Sequence, residues 1–148
     1  LAIHQLIRLT QKLVINQQAV QSAANRIMFS ESVIPRWVCD AERKCVQVNK
    51  ALATMFGMDM AEMLERGWIS ASIPEHRERV AREFDRLYHA PDDYTYETNY
   101  AIRRGDVLVN VTARAVEVVR DVRTQKVITV FGICEPTQII KNGEPSLS

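Results

Sequence analysis

The chain switches between two apolar rhythms. From residue 1 to about 29 there is neither Pro nor Gly, and apolar positions recur at helical spacing. Leu6, Leu13, Val20 and Ile27 repeat every seven residues, with Ala2, Leu9, Asn16 and Ala23 offset between them. This a/d seam predicts a long amphipathic helix that pairs with a second copy, and a polar Asn16 within it is the kind of residue that fixes register. Ile3, Ile7, Val14 and Ile15 lie off the seam and give the helix a second apolar flank. The same stripe also suits a helix packed on its own domain.

After residue 34 the rhythm becomes alternating. Trp37-Val38-Cys39 and Cys45-Val46-Gln47-Val48 flank the polar stretch Asp40 to Lys44 and predict a hairpin. Asn49 then stands where a strand meets a helix, a good N-cap because its side-chain oxygen can accept from a first-turn N–H. Ala51, Leu52, Met55 and Phe56 make one helical stripe that ends at Gly57, the residue type best suited to a left-handed C-terminus. A second short helix is expected from Met60 to Arg66, stopped by Gly67, with Trp68 next. Glu75 to His89 reads as a longer helix with Val80, Phe84, Leu87 and Tyr88 on one side, broken by Pro91-Asp92-Asp93.

Three strands follow. Tyr96, Thr98, Tyr100 and Ile102 should face a core, with Glu97, Asn99, Ala101 and Arg103 turned away. Val107 to Val119 alternates Val109, Val111, Ala113 and Ala115 with Asn110, Thr112 and Arg114. Val127 to Cys134 is apolar on both sides, as a strand covered on both faces would be. The fold class is therefore α+β, a five-stranded antiparallel sheet with short helices on one face, preceded by a long N-terminal helix.

The stretch VNKALATMFGMDMAEMLERGW, residues 48 to 68, resembles the signature of PAS sensor domains, in which a strand delivers an asparagine into short helices ending near Gly-Trp. Three later pieces resemble the same pattern in order: Ser72 to Val80, the proline-acidic start of the long helix; Tyr96 to Arg104, a strand of the YExEYRxRR kind; and Phe131 to Thr137, the closing strand. The resemblance covers residues 34–137, leaving 1–29 as the helix and 138–148 as a tail. Glu135-Pro136-Thr137 stands where the pattern has Asp-Ile-Thr, and Pro136 hinders a helix from starting there.

Charge and targeting narrow the partners. A net charge of +1 gives no electrostatic pull toward nucleic acid or an anionic membrane. No apolar run is long enough to span a bilayer, so a cytoplasmic location is expected. With Leu1 in place of an initiating Met the chain is expected to be a fragment, and membrane contact is expected only through a segment outside it.

Chemistry is sparse. Three cysteines in no C-x-x-C spacing, with no Cys/His pair at metal spacing, argue against zinc. Cys39 and Cys45 bracket the first hairpin's turn and read as reduced, buried thiols. His4, His76 and His89 form no site in sequence, and His76 reads as exposed. Carboxylates fall in turns or helix starts, so no enzyme is expected.

The resemblance implies a ligand cavity between helices and sheet, with Phe56, Trp68, Phe84, Tyr88, Tyr100 and Cys134 as its candidate lining. Haem-binding members of the family carry their axial histidine near positions 80–82, where this chain has Val80 to Arg82, which argues against haem. Light-sensing members need an Asn-Cys-Arg cysteine, and Trp68-Ile69-Ser70-Ala71-Ser72 supplies none, which argues against a photoactive flavin adduct. The cofactor is left open. Two functions follow as expectations: a sensor that binds a small molecule and dimerises through Leu6, Leu9, Leu13, Val20 and Ile27, or a ligand-free dimerisation and relay module.

Overall fold

The computed structural model describes residues 2–11, 32–91 and 93–141, with side chains through 137. The chain divides into two units, Leu1–Glu31 and Ser32–Ser148. In the first, residues 2–11 form a helix, α1. Its Leu6 and Leu9 are 65% and 66% exposed. Leu13, Asn16, Val20 and Ile27 of the expected seam lie outside the described residues.

In the second unit five antiparallel strands stand in the order β2-β1-β5-β4-β3. They are β1 (Arg36–Asp40), β2 (Cys45–Val48), β3 (Glu97–Arg104), β4 (Val107–Arg120) and β5 (Val127–Lys141). The first hairpin forms without a glycine. Arg43 takes the left-handed conformation (φ 67°), while Asp40 Oδ1 accepts from the N–H groups of Glu42 and Lys44, each at 2.9 Å. An Asp that holds its own turn in this way stabilises it without a Gly.

Between β2 and β3 run α2 (Lys50–Phe56), α3 (Met60–Met63), a 3₁₀ turn (Gly67–Ala71) and α4 (Pro74–His89). Asn49 caps α2 as expected: its Oδ1 accepts from Leu52 N–H at 3.0 Å. The same oxygen accepts from Arg36 N–H at 3.0 Å, and Nδ2 donates to the carbonyls of Ser32 and Ile34. Gly57 ends α2 in the left-handed conformation, its N–H returning to Ala53 and Thr54 carbonyls.

The helix expected from Met60 to Arg66 stops at Met63. Glu65 turns left-handed (φ 59°) and exchanges both backbone hydrogen bonds with Cys45, at 2.7 and 2.6 Å. The outer edge of β2 would otherwise present unpaired backbone groups, and satisfying them outweighs two more helical residues. On the opposite edge of the sheet Ala101 is served likewise. Its carbonyl accepts from Ile73 N–H at 2.9 Å, and its N–H donates to His76 Nδ1 at 3.1 Å. His76 is thus half-buried and closes a strand edge, where the sequence suggests an exposed side chain.

The helix α4 begins at Pro74, whose absent N–H costs nothing in the first turn. It lays Val80, Phe84 and Leu87 on the sheet. Tyr96, Thr98, Tyr100 and Ile102 meet them from below, all buried, as the alternation predicts. From β5 come Val130, Gly132 and Cys134, whereas Phe131 alternates with them and is 39% exposed. β5 runs on to Lys141, past the limit of 137 taken from the sequence. Pro136 is accommodated because the ladder bulges there, Val111 facing Pro136 while Asn110 faces Gln138.

Asn49→Ala should lower unfolding stability by about 2 kcal/mol or more, since it leaves buried N–H groups of two elements without acceptors. Asn49→Ser keeps a capping oxygen and should lose less. Urea denaturation of the two variants checks the order; equal losses would mean that the capping oxygen contributes nothing to the stability.

Candidate functional site

Phe84 is the hub of the space between helices and sheet. Trp37 of β1 and Trp68 of the 3₁₀ turn meet it edge-on, with ring centroids 6.2 and 5.4 Å away. Tyr96 and Tyr88 approach at 5.9 and 5.4 Å. Edge-to-face packing matches positive ring edges to negative faces, and each such pair adds about 1 kcal/mol to simple burial. Trp37 is fixed twice: its Nε1–H donates to the Ile133 carbonyl at 3.2 Å, and its indole lies flat over Gly132. A Cβ at Gly132 would fall 2.0 Å from Trp37 Cζ2, so only glycine lets the ring pass there.

The rings leave a cavity of about 30 Å³. Phe56, Trp68, Phe84, Tyr100 and Cys134 all stand on its wall, and with them Trp37, Cys39, Cys45, Met63 and Tyr96. Tyr88, the sixth residue expected there, does not reach it. Its hydroxyl donates instead to the Asp40 carbonyl at 2.6 Å, the Arg43 guanidinium covers its ring, and it borders an outer groove with His89, Arg120 and Lys126. The Arg43 guanidinium is also 2.6 Å from His89 Nε2, which must accept because a guanidinium can only donate.

All three thiols are free and buried. Cys39 and Cys45 are register partners across the first hairpin. Cys45 spends its backbone groups on Glu65, so the pair is of the non-hydrogen-bonded kind, in which side chains stand closest. The Cys39 thiol donates to Cys45, which holds Cys39 protonated and draws the Cys45 thiol below its usual range. Burial pushes the Cys134 thiol up to about 12, and the same cause raises the phenols of Tyr96 and Tyr100 well above their usual value. Among the described residues no Arg, Lys, Asp or Glu lines the cavity, and no cluster of three His, Cys, Asp or Glu side chains could hold a metal ion.

One buried polar atom of the core is left over. Trp68 is 9% exposed, and its buried Nε1–H has no acceptor among the described residues.

A five-stranded antiparallel sheet in the order 2-1-5-4-3, its helices crossing one face between the second and third strands, decides the fold. This is the PAS fold. The chain is similar to the N-terminal domain of a diguanylate cyclase with PAS/PAC sensor from Marinobacter aquaeolei, at 16% identity and a TM-score of 0.59, over 69% of this chain and 93% of that one. It is similar to the PAS domain of a protein from Colwellia psychrerythraea, at 14% identity and TM-score 0.57, over 84% and 97%. It also resembles a tryptophan-to-alanine variant of PAS-B of Drosophila melanogaster Cycle with bound glycerol, at 10% identity and TM-score 0.56, over 70% and 100%. No family sequence model matches the chain, and no curated protein matches it.

Within the PAS fold, the wall residues that sequence reasoning passes over include those of the first hairpin, Leu52, Tyr96 and Ala113. For those on strands the signal was present as alternation: Trp37 and Cys39 share a face, as do Tyr96 and Tyr100. Nothing in sequence marks Met63 as a wall residue, because its helix ends elsewhere than its spacing suggests.

Cys134 makes the domain sensitive to alkali. Above the usual thiol value of 9.0 the unfolded chain releases this proton, whereas the folded domain keeps it up to about 12. The unfolded state then binds fewer protons, so stability falls as pH rises through that window, by about 1.4 kcal/mol per pH unit for one such group. Cys134→Ala should flatten part of this fall. Denaturation midpoints measured at several pH values above 9.0 check it, and parallel slopes for the two proteins would exclude Cys134 as the group.

Proposed function

We propose that this chain is a PAS sensory module of a signalling protein, holding a small molecule in the cavity beneath Phe84 and passing its state on through a dimer formed by the N-terminal helix. The observation that carries the reading is the cavity itself, a space left open in a core whose rings otherwise meet edge to face. Support comes also from neighbours of the fold, one of which is the N-terminal domain of a diguanylate cyclase with PAS/PAC sensor and another of which, a tryptophan-to-alanine variant, holds glycerol. For the dimer, support comes from Leu6 and Leu9 standing exposed on one stripe of α1. A short isolated helix gains little stability in water without a packing partner. No helix among the described residues is long and apolar enough to cross a membrane.

The cavity's size favours a second reading. About 30 Å³ holds roughly two water molecules, so a core that merely packs loosely would serve a ligand-free relay module equally well. Native mass spectrometry of the protein as purified from cells separates the two. Mass beyond the polypeptide supports the sensor, and bare polypeptide mass under conditions that keep weak ligands bound supports the relay. Leu9→Asp should shift sedimentation from dimer to monomer, and an unchanged dimer would place the interface elsewhere.

A further inference from the structure

An irregularity in the first hairpin brings Cys39 and Cys45 together. Trp37 faces Val48 and Val38 faces Gln47, so an unbroken ladder would set Cys39 opposite Val46. A bulge skips Val46, which is 50% exposed, and sets Cys39 opposite Cys45 instead. Both cysteines are buried, and the Cys39 thiol donates to Cys45. Pairs of this non-hydrogen-bonded kind hold their Cα atoms about 4.5 Å apart. Disulfides span Cα separations of roughly 4.4 to 6.8 Å, so the two sulfurs can bond with little movement of the backbone. The third thiol is out of reach. On its other side Cys39 faces Val130, and Cys134 lies four residues further along β5, about 13 Å away.

We propose that Cys39 and Cys45 form a peroxide-reactive dithiol, which closes to a disulfide and reopens with a thiol reductant such as glutathione. Cys45 attacks and Cys39 resolves. In the first step the Cys45 thiolate attacks one oxygen of hydrogen peroxide. An S–O bond forms, the O–O bond breaks, and the departing hydroxide takes up the proton that Cys45 released, giving water. The Cys39 sulfur then attacks the sulfenic sulfur. The S–S bond forms, the S–O bond breaks, and hydroxide leaves with the Cys39 proton as a second water. The two thiols lose two electrons and the peroxide gains them.

The roles follow from position. Cys39 lies on a strand flanked by β2 and β5, whereas Cys45 is on the edge strand, closed on its outer side by one bridge to Glu65. Opening of that bridge uncovers Cys45 first. The hydrogen bond from Cys39 also favours the Cys45 thiolate, the form that attacks. Both residues stand on the cavity of about 30 Å³, and space for roughly two waters also takes the two oxygen atoms of hydrogen peroxide. A disulfide here acts on the helical cap through two existing ties. Cys45 holds Glu65 by both backbone hydrogen bonds, and Asp40, next to Cys39, accepts from the Tyr88 hydroxyl of α4. The device works whether or not the cavity holds another molecule.

Hydrogen peroxide added to the whole, reduced chain is the test. Trypsin cuts after Arg36, Arg43, Lys44 and Lys50, and after Lys126 and Lys141, so the three cysteines fall on separate peptides, 37–43, 45–50 and 127–141. Digestion without reductant should show 37–43 joined to 45–50, lighter than their sum by the two hydrogens lost, with 127–141 still a free thiol. Glutathione should release the pair. The ¹H–¹⁵N signals of Glu65 and Tyr88 should shift on oxidation and return on reduction. Cys39→Ser should stop at the Cys45 sulfenic acid, trapped by dimedone, and Cys45→Ser should leave Cys39 unreacted. The wild-type digest stands by itself if either variant fails to fold. No loss of thiol, sulfinic or sulfonic Cys45 without the link, a link to Cys134 instead, or a link formed only in urea would overturn the proposal. So would a disulfide that glutathione cannot open, or one that leaves the Glu65 and Tyr88 signals unmoved.

Discussion

The PAS fold of this chain hangs on one carboxamide. Asn49 joins three pieces that lie apart in sequence: the N–H of Arg36 at the start of β1, the first turn of α2, and the carbonyls of Ser32 and Ile34 ahead of the sheet. It is nearly inaccessible to solvent, so each of its hydrogen bonds replaces one that water would have made, and none can be given up cheaply. The direction in which the chain leaves β2 follows from this residue, and so does the position of every helix that crosses the sheet.

With that corner fixed, the edges of the sheet become the next constraint. Both are closed by backbone that would otherwise have been helix or loop, Glu65 against Cys45 on one side and the Ser72 to His76 segment against Ala101 and Ile102 on the other. These closures pull the helical cap down around the rim. The centre is then spanned by rings, and Trp37 can lie close to the sheet only because Gly132 has no side chain. The cavity is the remainder between a rim held by backbone hydrogen bonds and a centre filled by rigid plates that cannot bend to fill it.

Much of this was legible in the sequence. Strand positions, the Asn49 cap, the Gly57 terminus and the buried face of α4 follow from periodicities that depend only on local geometry. Tyr96, Thr98, Tyr100 and Ile102 betray their common face by alternation alone. What escaped were features decided by distant partners. Nothing near Glu65 announces that it will pair with Cys45, which is why α3 ends early; nothing near His76 announces Ala101. Tyr88 shares a helical stripe with Phe84, yet its hydroxyl found the Asp40 carbonyl on another element and left the cavity. Trp68 was legible as a wall residue, but its unpaired nitrogen was not, since pairing is a property of the neighbourhood and not of the residue.

The three thiols have a further consequence. Each lies buried in a different setting: Cys39 on a paired inner strand, Cys45 at the sheet's margin, Cys134 in the central strand. A buried thiol meets an alkylating reagent only when its surroundings open, so its labelling rate measures how often that opening occurs. The chain thus carries its own reporters, without any engineered probe. Labelling of Cys45 ahead of Cys134 would register the hairpin margin fraying while the centre holds, and equal rates would register a domain that opens as one.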